Sequence, residues 1–207
     1  VRGVKKSPGR FVAILTIIAI GCAFYAGLSA VSTDLKNSGW KYYREYALAD
    51  VQIKSTLGFN GDEIEKLSDG EHFDSGYAGY SADLFVENNG GQSAVTVLSY
   101  SADQPLNKLY LMEGRLPEKA GECVADYDSM HKISFKIGDT VKLSADGDND
   151  VADYLNQSEY TVVGLVKSPV YVSYERGSTT IGTGSVSAFI YVPEENFAYD
   201  AYTDLYL

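Results

Sequence analysis

Phe11–Val31, FVAILTIIAIGCAFYAGLSAV, decides how the rest of the chain is read. Its 21 residues hold no charged side chain. As a helix rising ~1.5 Å per residue it reaches about 32 Å, which matches a hydrocarbon core of ~30 Å. A chain of 207 residues has too little core to bury such a rod on all sides, so the stretch is expected to cross a membrane.

The charges divide around this stretch. Residues 1–10 hold Arg2, Lys5, Lys6 and Arg10 and no acid. Beyond Val31 lie 13 basic against all 28 acidic residues, a balance of −15. Basic flanks stay in the cytoplasm. The sequence therefore predicts a cytoplasmic N-terminus at 1–10, a span at 11–31, a helical connector at 32–47 and an extracytoplasmic domain from 48 to 207. A cleaved signal peptide is the competing reading, with small residues near Ala30-Val31-Ser32; its apolar run normally covers only ~7–15 residues. Within the span, Ala19, Ala23 and Gly27 recur every four residues on one helical face, where another helix approaches closely, or by chance in a segment rich in such residues.

A net charge of −11 argues against nucleic acid, whose phosphates call for a basic stripe. Cys22 falls in the span and Cys123 in the outer part, so they cannot pair. The 17 tyrosines supply most of the aromatic content. Trp40, Tyr42, Tyr43 and Tyr46 cluster after the span, either at headgroup level or packed on the domain's base. The chain opens with Val and stops at Thr203–Leu207 in what reads as a strand, so a fragment of a longer protein is expected.

After the connector, Val51 and Ile53 alternate with Gln52 and Lys54, predicting a strand over 49–55. Asn60 with Glu63 forms a capping box before a helix ending near Gly70. Asn88-Asn89-Gly90-Gly91 between 80–87 and 93–100 marks a hairpin. Further strands are predicted at 121–126, 140–145, 159–167, 170–175, 186–192 and 202–207, with short helices at 127–134 and 194–198. The fold class is α+β, with a β-rich outer part forming one domain or two small subdomains.

No sequence fits a P-loop or a nucleophile elbow. His72 and His131 have no partner at metal-ligand spacing. Asp146-Gly147-Asp148-Asn149-Asp150 begins like a calcium loop, but Val151 and Gln157 stand where Gly and Glu are required. Gly177–Gly184, GSTTIGTG, lies between strands and fits a loop better than a phosphate cradle. No catalytic, cofactor-binding or metal residue is therefore assigned, and an enzyme is not expected.

Several segments together resemble the FtsX/MacB-type ABC-transporter permeases. They are the basic start leading into the span; Leu111-Met112-Glu113-Gly114-Arg115-Leu116-Pro117 with Gly121-Glu122-Cys123-Val124; Ile137-Gly138-Asp139-Thr140-Val141; and Val162-Val163-Gly164-Leu165-Val166. Ser168-Pro169-Val170-Tyr171, Arg176-Gly177 and Ile181-Gly182-Thr183-Gly184 are similar to the longer permeases of Gram-positive bacteria. Cys123 departs from the family's usual aliphatic residue, and the later spans are missing.

The residues of these motifs predict structural roles. Gly114 is expected in a left-handed turn, Gly138-Asp139 in a turn before a strand, and Arg115 bound to carbonyls or an acid. The resemblance implies a domain of the MacB periplasmic-core type. It also implies a cell-membrane permease that works with a cytoplasmic ABC ATPase subunit. A second permease copy or paralogue and membrane lipid complete the partners it implies. ATP-driven motion would be passed to the outer domain, to export or extract lipid, peptide or lipoprotein. A surface-anchored binding protein and a kinase sensor domain are the alternatives.

Overall fold

A computed structural model describes residues 7–68, 73, 75–88, 91–128 and 133–207. It separates the chain into two units, up to Glu45 and from Tyr46 onward. His72 and His131, the hairpin tip Asn89-Gly90 and the predicted helix end at Gly70 lie outside the described residues.

The first unit is one helix, α1, Pro8–Glu45. It runs unbroken through the apolar stretch and the polar connector, and none of its residues is buried. At ~1.5 Å per residue its 38 residues extend about 57 Å. Its length and composition suffice to cross a membrane. Thr16 and Ser29 return their hydroxyls to the carbonyls of Val12 and Tyr25, so they leave no unpaired polar group on the apolar rod.

The second unit opens with β1, Gln52–Phe59, and α2, Gly61–Ser68. The capping box forms as expected: Asn60 Oδ1 accepts from the Glu63 backbone N–H and Glu63 Oε2 from that of Asn60. Next in the chain are β2 (Tyr77–Gly79), β3 (Ser81–Asn88), β4 (Gly91–Tyr100), β5 (Tyr110–Gly114) and β6 (Glu122–Asp126). The last four strands are β7 (Thr140–Ser144), β8 (Glu159–Lys167), β9 (Ala188–Pro193) and β10 (Tyr202–Tyr206). Single 3-10 turns stand at Val151–Asp153 and Glu194–Asn196.

Among the described residues, β1, β10 and β2 form a three-stranded antiparallel sheet. The other strands run in the order β5-β8-β6-β9-β4-β3-β7, and β7 pairs again with β8. That second pairing closes six strands into a barrel, removing the free edges of an open sheet. Inward residues alternate along each strand: Leu84 and Val86, Val95 and Val97, Cys123 and Ala125, Val141 and Leu143, Ile190 and Val192. Cys123 is fully buried, so it serves as a small apolar filler, and burial pushes its thiol up to about 12. Leu98, Val124, Val166, Phe189 and Tyr191 pack on the outside of the same strands.

One predicted element is absent, and a second is not helical where it is described. Residues 170–175 are not a strand. Tyr171 N–H closes a turn onto the Ser168 carbonyl, and Arg176 folds the segment back to a buried carboxylate. The described part of 127–134 is not helical: Asp128 N–H bonds to Asp126 Oδ1, a local side-chain bond that competes with helix formation. Beyond it, Ile133 is buried as non-helical chain.

Candidate functional site

The motif stretches 111–117, 137–141 and 162–166 meet at one place on β8. Along one edge of this strand, residues 159–161 pair with β7 and residues 164–167 with β5. At the handover the Gly138 N–H donates to the Val162 carbonyl and the Arg115 N–H to the Val163 carbonyl. Gly114 has φ 77°. A Cβ there would overlap the Val163 carbonyl, and a Cβ on Gly164 would overlap the Arg115 carbonyl. Both positions thus require glycine, one for its backbone angle and both for close approach. Asp139 completes its turn by accepting from the Lys136 N–H at 2.9 Å.

Arg115 binds Glu122 through two parallel bonds, Nη1 to Oε2 at 2.7 Å and Nη2 to Oε1 at 2.5 Å. The guanidinium beside Glu122 holds its carboxyl down at about 2. The same carboxylate accepts from the Glu118 backbone N–H at 3.0 Å. This fork fixes the turn that carries Pro117 and Glu118.

Pro117 and Glu118 form one wall of an open groove of about 680 Å³. Its other walls are Tyr100–Ala102 at the end of β4 and Pro193–Glu195 with Phe197 after β9, and Tyr80 also lines it. Parallel pairing of β4 with β9, up to Tyr100 opposite Pro193, brings both strand ends to the same rim. The 194–198 turn is strapped down. Asn156 donates to the carbonyls of Asn196 and Glu195, and Ala198 N–H donates to the Tyr154 carbonyl. Tyr80 stacks on Phe197 at 5.2 Å and on Tyr202 at 4.7 Å between ring centroids. Burial pushes the Tyr80 hydroxyl up to about 12, and raises Glu194 above the usual carboxylate range. Among the described residues, no basic side chain lines the groove.

A second buried centre anchors the 168–176 segment. Arg176 Nε lies 2.6 Å from Asp126 Oδ2 and its Nη2 lies 3.1 Å from Oδ1, with both side chains almost fully buried. The guanidinium also donates to the Ser173 and Asp128 carbonyls and sits 5.5 Å from the Phe189 ring centre. Its bonds are satisfied within the fold, so it ties a loop down and is not open to a ligand. Asp204, fully buried in β10, is similarly spent on Ser81, Thr203 and Gln52. These contacts join the three-stranded sheet to the first residue of β3.

The acidic segment 146–150 makes no ligand cage. Asp150 caps the 3-10 turn at Val151–Asp153, and no cluster able to hold a metal occurs among the described residues. Gly177–Gly184 folds back on itself, with Ser178 bridged to Ser185 and Gly182 (φ 60°) against the Phe85 ring. Tyr46 packs its ring on Tyr110 at 5.3 Å. In the sequence, Pro117 belongs to a motif, Tyr80 and Tyr100 end the predicted hairpin strands, and 194–198 is a predicted short helix, but nothing there brings these separate segments to one opening.

Fold and groove together define a β-barrel domain that comes after a single long apolar helix. No model of a known protein family and no curated protein matches the sequence. Among solved structures the chain is similar to the extracellular domain of the noncanonic ABC-type transporter YknZ from Gram-positive bacteria. That match has 12% identity and a TM-score of 0.44, over 77% of this chain and 78% of the other. It is also similar to the periplasmic region of MacB from Actinobacillus actinomycetemcomitans. There the identity is 13% and the TM-score 0.40, over 74% of this chain and 64% of the other.

Proposed function

We propose that the chain supplies the first span and first outer domain of an ABC-transporter permease. The N-terminus would lie in the cytoplasm and the barrel outside the cell membrane. A separate cytoplasmic ATPase would drive the spans, and the outer domain would act on lipid, peptide or lipoprotein. The observation that carries this reading is the unbroken helix Pro8–Glu45: an apolar rod that continues without a break into its polar part is a stiff lever. Two further features support it. The family-like segments at 111–117, 121–124, 137–141 and 162–166 converge on β8, as parts of a common scaffold would. The segment that starts the outer domain is firmly gripped: Asn107 N–H donates to the Ala47 carbonyl, Lys108 N–H to that of Tyr46, and Asn107 Oδ1 accepts from the Ala49 N–H at 3.0 Å. The ribbon Ala19, Ala23 and Gly27 would face a neighbouring span, from the same permease or a second copy.

The lever is tested by inserting a flexible Gly/Ser linker at Asn37 in the assembled transporter. Transport should be lost while ATP hydrolysis persists; full transport would overturn it. Orientation is tested on Asp148→Cys in a Cys22→Ser background, because Cys123 is fully buried. A membrane-impermeant maleimide should label intact cells, and labelling only after lysis would reverse the assignment.

A further inference from the structure

We propose that the face of α1 carrying Lys36, Trp40, Lys41 and Arg44 binds the headgroups of anionic phospholipids in the leaflet from which the helix emerges. The proposal rests on the reading of α1 as a span and adds a lipid partner at a stated place. At ~3.6 residues per turn these four side chains, with Asn37 among them, leave the helix within an arc of roughly 140°. Asp34 and Glu45 lie roughly a quarter-turn from the middle of that arc. Among the described residues, none of the three cations takes part in an ion pair. The connector 32–45 holds three basic and two acidic residues, whereas the chain from Tyr46 onward holds 10 basic and 26 acidic. An anionic surface therefore repels the outer domain as a whole and attracts the segment that stands closest to it.

Height along the helix sets which lipid groups come within reach. At ~1.5 Å per residue, Lys36 lies about 8 Å beyond Val31, Trp40 and Lys41 about 14–15 Å, and Arg44 about 20 Å. The headgroup layer occupies about 5–8 Å on each side of the hydrocarbon. Helical side chains lean toward the N-terminus of their helix, here back toward the span, and long basic ones carry their charge several ångströms that way. Lys36 thus reaches the phosphates directly, and Lys41 and the Trp40 ring reach the outer margin of the layer. Arg44 acts across a gap of about one Debye length, ~8 Å at physiological salt. Charge-assisted donors beside an indole, whose body is apolar and whose N–H is polar, match a phosphate layer that borders on hydrocarbon.

Trp40 is the single tryptophan of the chain, so its fluorescence reports this face alone. The test uses the full chain in nanodiscs that carry a spin label on a lipid headgroup, in zwitterionic lipid alone or with about 30% phosphatidylglycerol. Quenching of Trp40 by the headgroup label should rise about two-fold when the anionic lipid is present. The triple variant Lys36→Gln, Lys41→Gln, Arg44→Gln should lose that rise. The control Lys66→Gln, Lys119→Gln, Lys136→Gln, with the same charge change on the outer domain, should keep it. Among single variants the loss should follow height, largest for Lys36→Gln, then Lys41→Gln, then Arg44→Gln. An undiminished rise in the first triple variant, or no rise in the unaltered chain, would overturn the proposal. Insertion is read separately through Cys22, which lies mid-span and takes a label while Cys123 is fully buried. A fluorophore on Cys22 should be quenched by lipid labelled along its acyl chains, in the variants as in the unaltered chain. Quenching at Cys22 with no anionic-lipid response at Trp40 refutes lipid binding and leaves the span standing. No quenching at Cys22 removes the span, and the proposal with it.

Discussion

Helix α1 and the barrel meet the same requirement in opposite ways. Each must satisfy its backbone N–H and C=O groups, as water does for an unfolded chain. The helix does so within one segment, through bonds four residues apart, and buries nothing in doing it. The barrel does so only when β7 bridges β3 and β8, joining residues 85–86, 140–144 and 159–161. A local solution tolerates change anywhere that keeps it apolar. A closed ring concentrates its weakness at a few junctions, and where β5 hands over to β7 along β8 the molecule places Gly114 and Gly164.

The largest effect should come from breaking the buried ion pair that ties residues 168–176 to the end of β6. Asp126→Ala leaves the Arg176 charge buried without its partner and should cost about 3–5 kcal/mol in denaturant unfolding of the outer domain. Helicity of α1 should not change. The double variant Asp126→Leu, Arg176→Met should recover much of that loss, because it removes both charges together.

Next comes the converse experiment on the helix. Ile17→Lys places a charge mid-span and should disfavour membrane insertion by about 3 kcal/mol, measured as the inserted fraction. The melting of the barrel should be unaltered. A shift in barrel stability would contradict the separation into two units.

Smaller still is Asn60→Ala, which removes the capping box of α2 and should cost about 1 kcal/mol. The last prediction concerns acid. Glu122 is held at about 2 against an ordinary 4.5, so its bonds to Arg115 stabilise the fold above pH about 4.5 and are lost as the pH falls toward about 2. The melting curve of Glu122→Gln should approach that of the unaltered chain over that window, and parallel curves would count against the clamp.

Much of this was legible residue by residue. The capping box, the hairpin of β3 and β4, and β6, β7, β8, β9 and β10 all rest on short-range patterns of alternation or turn residues. Residues 170–175 misled because alternating Val and Tyr favour a strand, while Arg176 has a buried carboxylate 50 positions earlier to reach. Residues 110–114 showed no alternation, and become β5 only because β8 offers an edge. Arg115 was expected to hold an acid or carbonyls, and holds Glu122. The groove left almost no trace, since its walls come from four stretches that are neighbours only after β4 and β9 pair in parallel.

By itself the sequence determined the apolar helix, the acidic character of the chain beyond it, the glycine turns and most of the strand positions. All of these depend on contacts within a few residues, or on simple transfer between water and an apolar phase. Tertiary structure alone decided that six strands close into a ring, that the motif glycines meet at one point along β8, and that Glu118, Glu194 and Glu195 share one opening with Tyr80, Tyr100 and Phe197. Those outcomes need partners dozens of residues away, and which partners meet is set by pairing and packing over the whole domain.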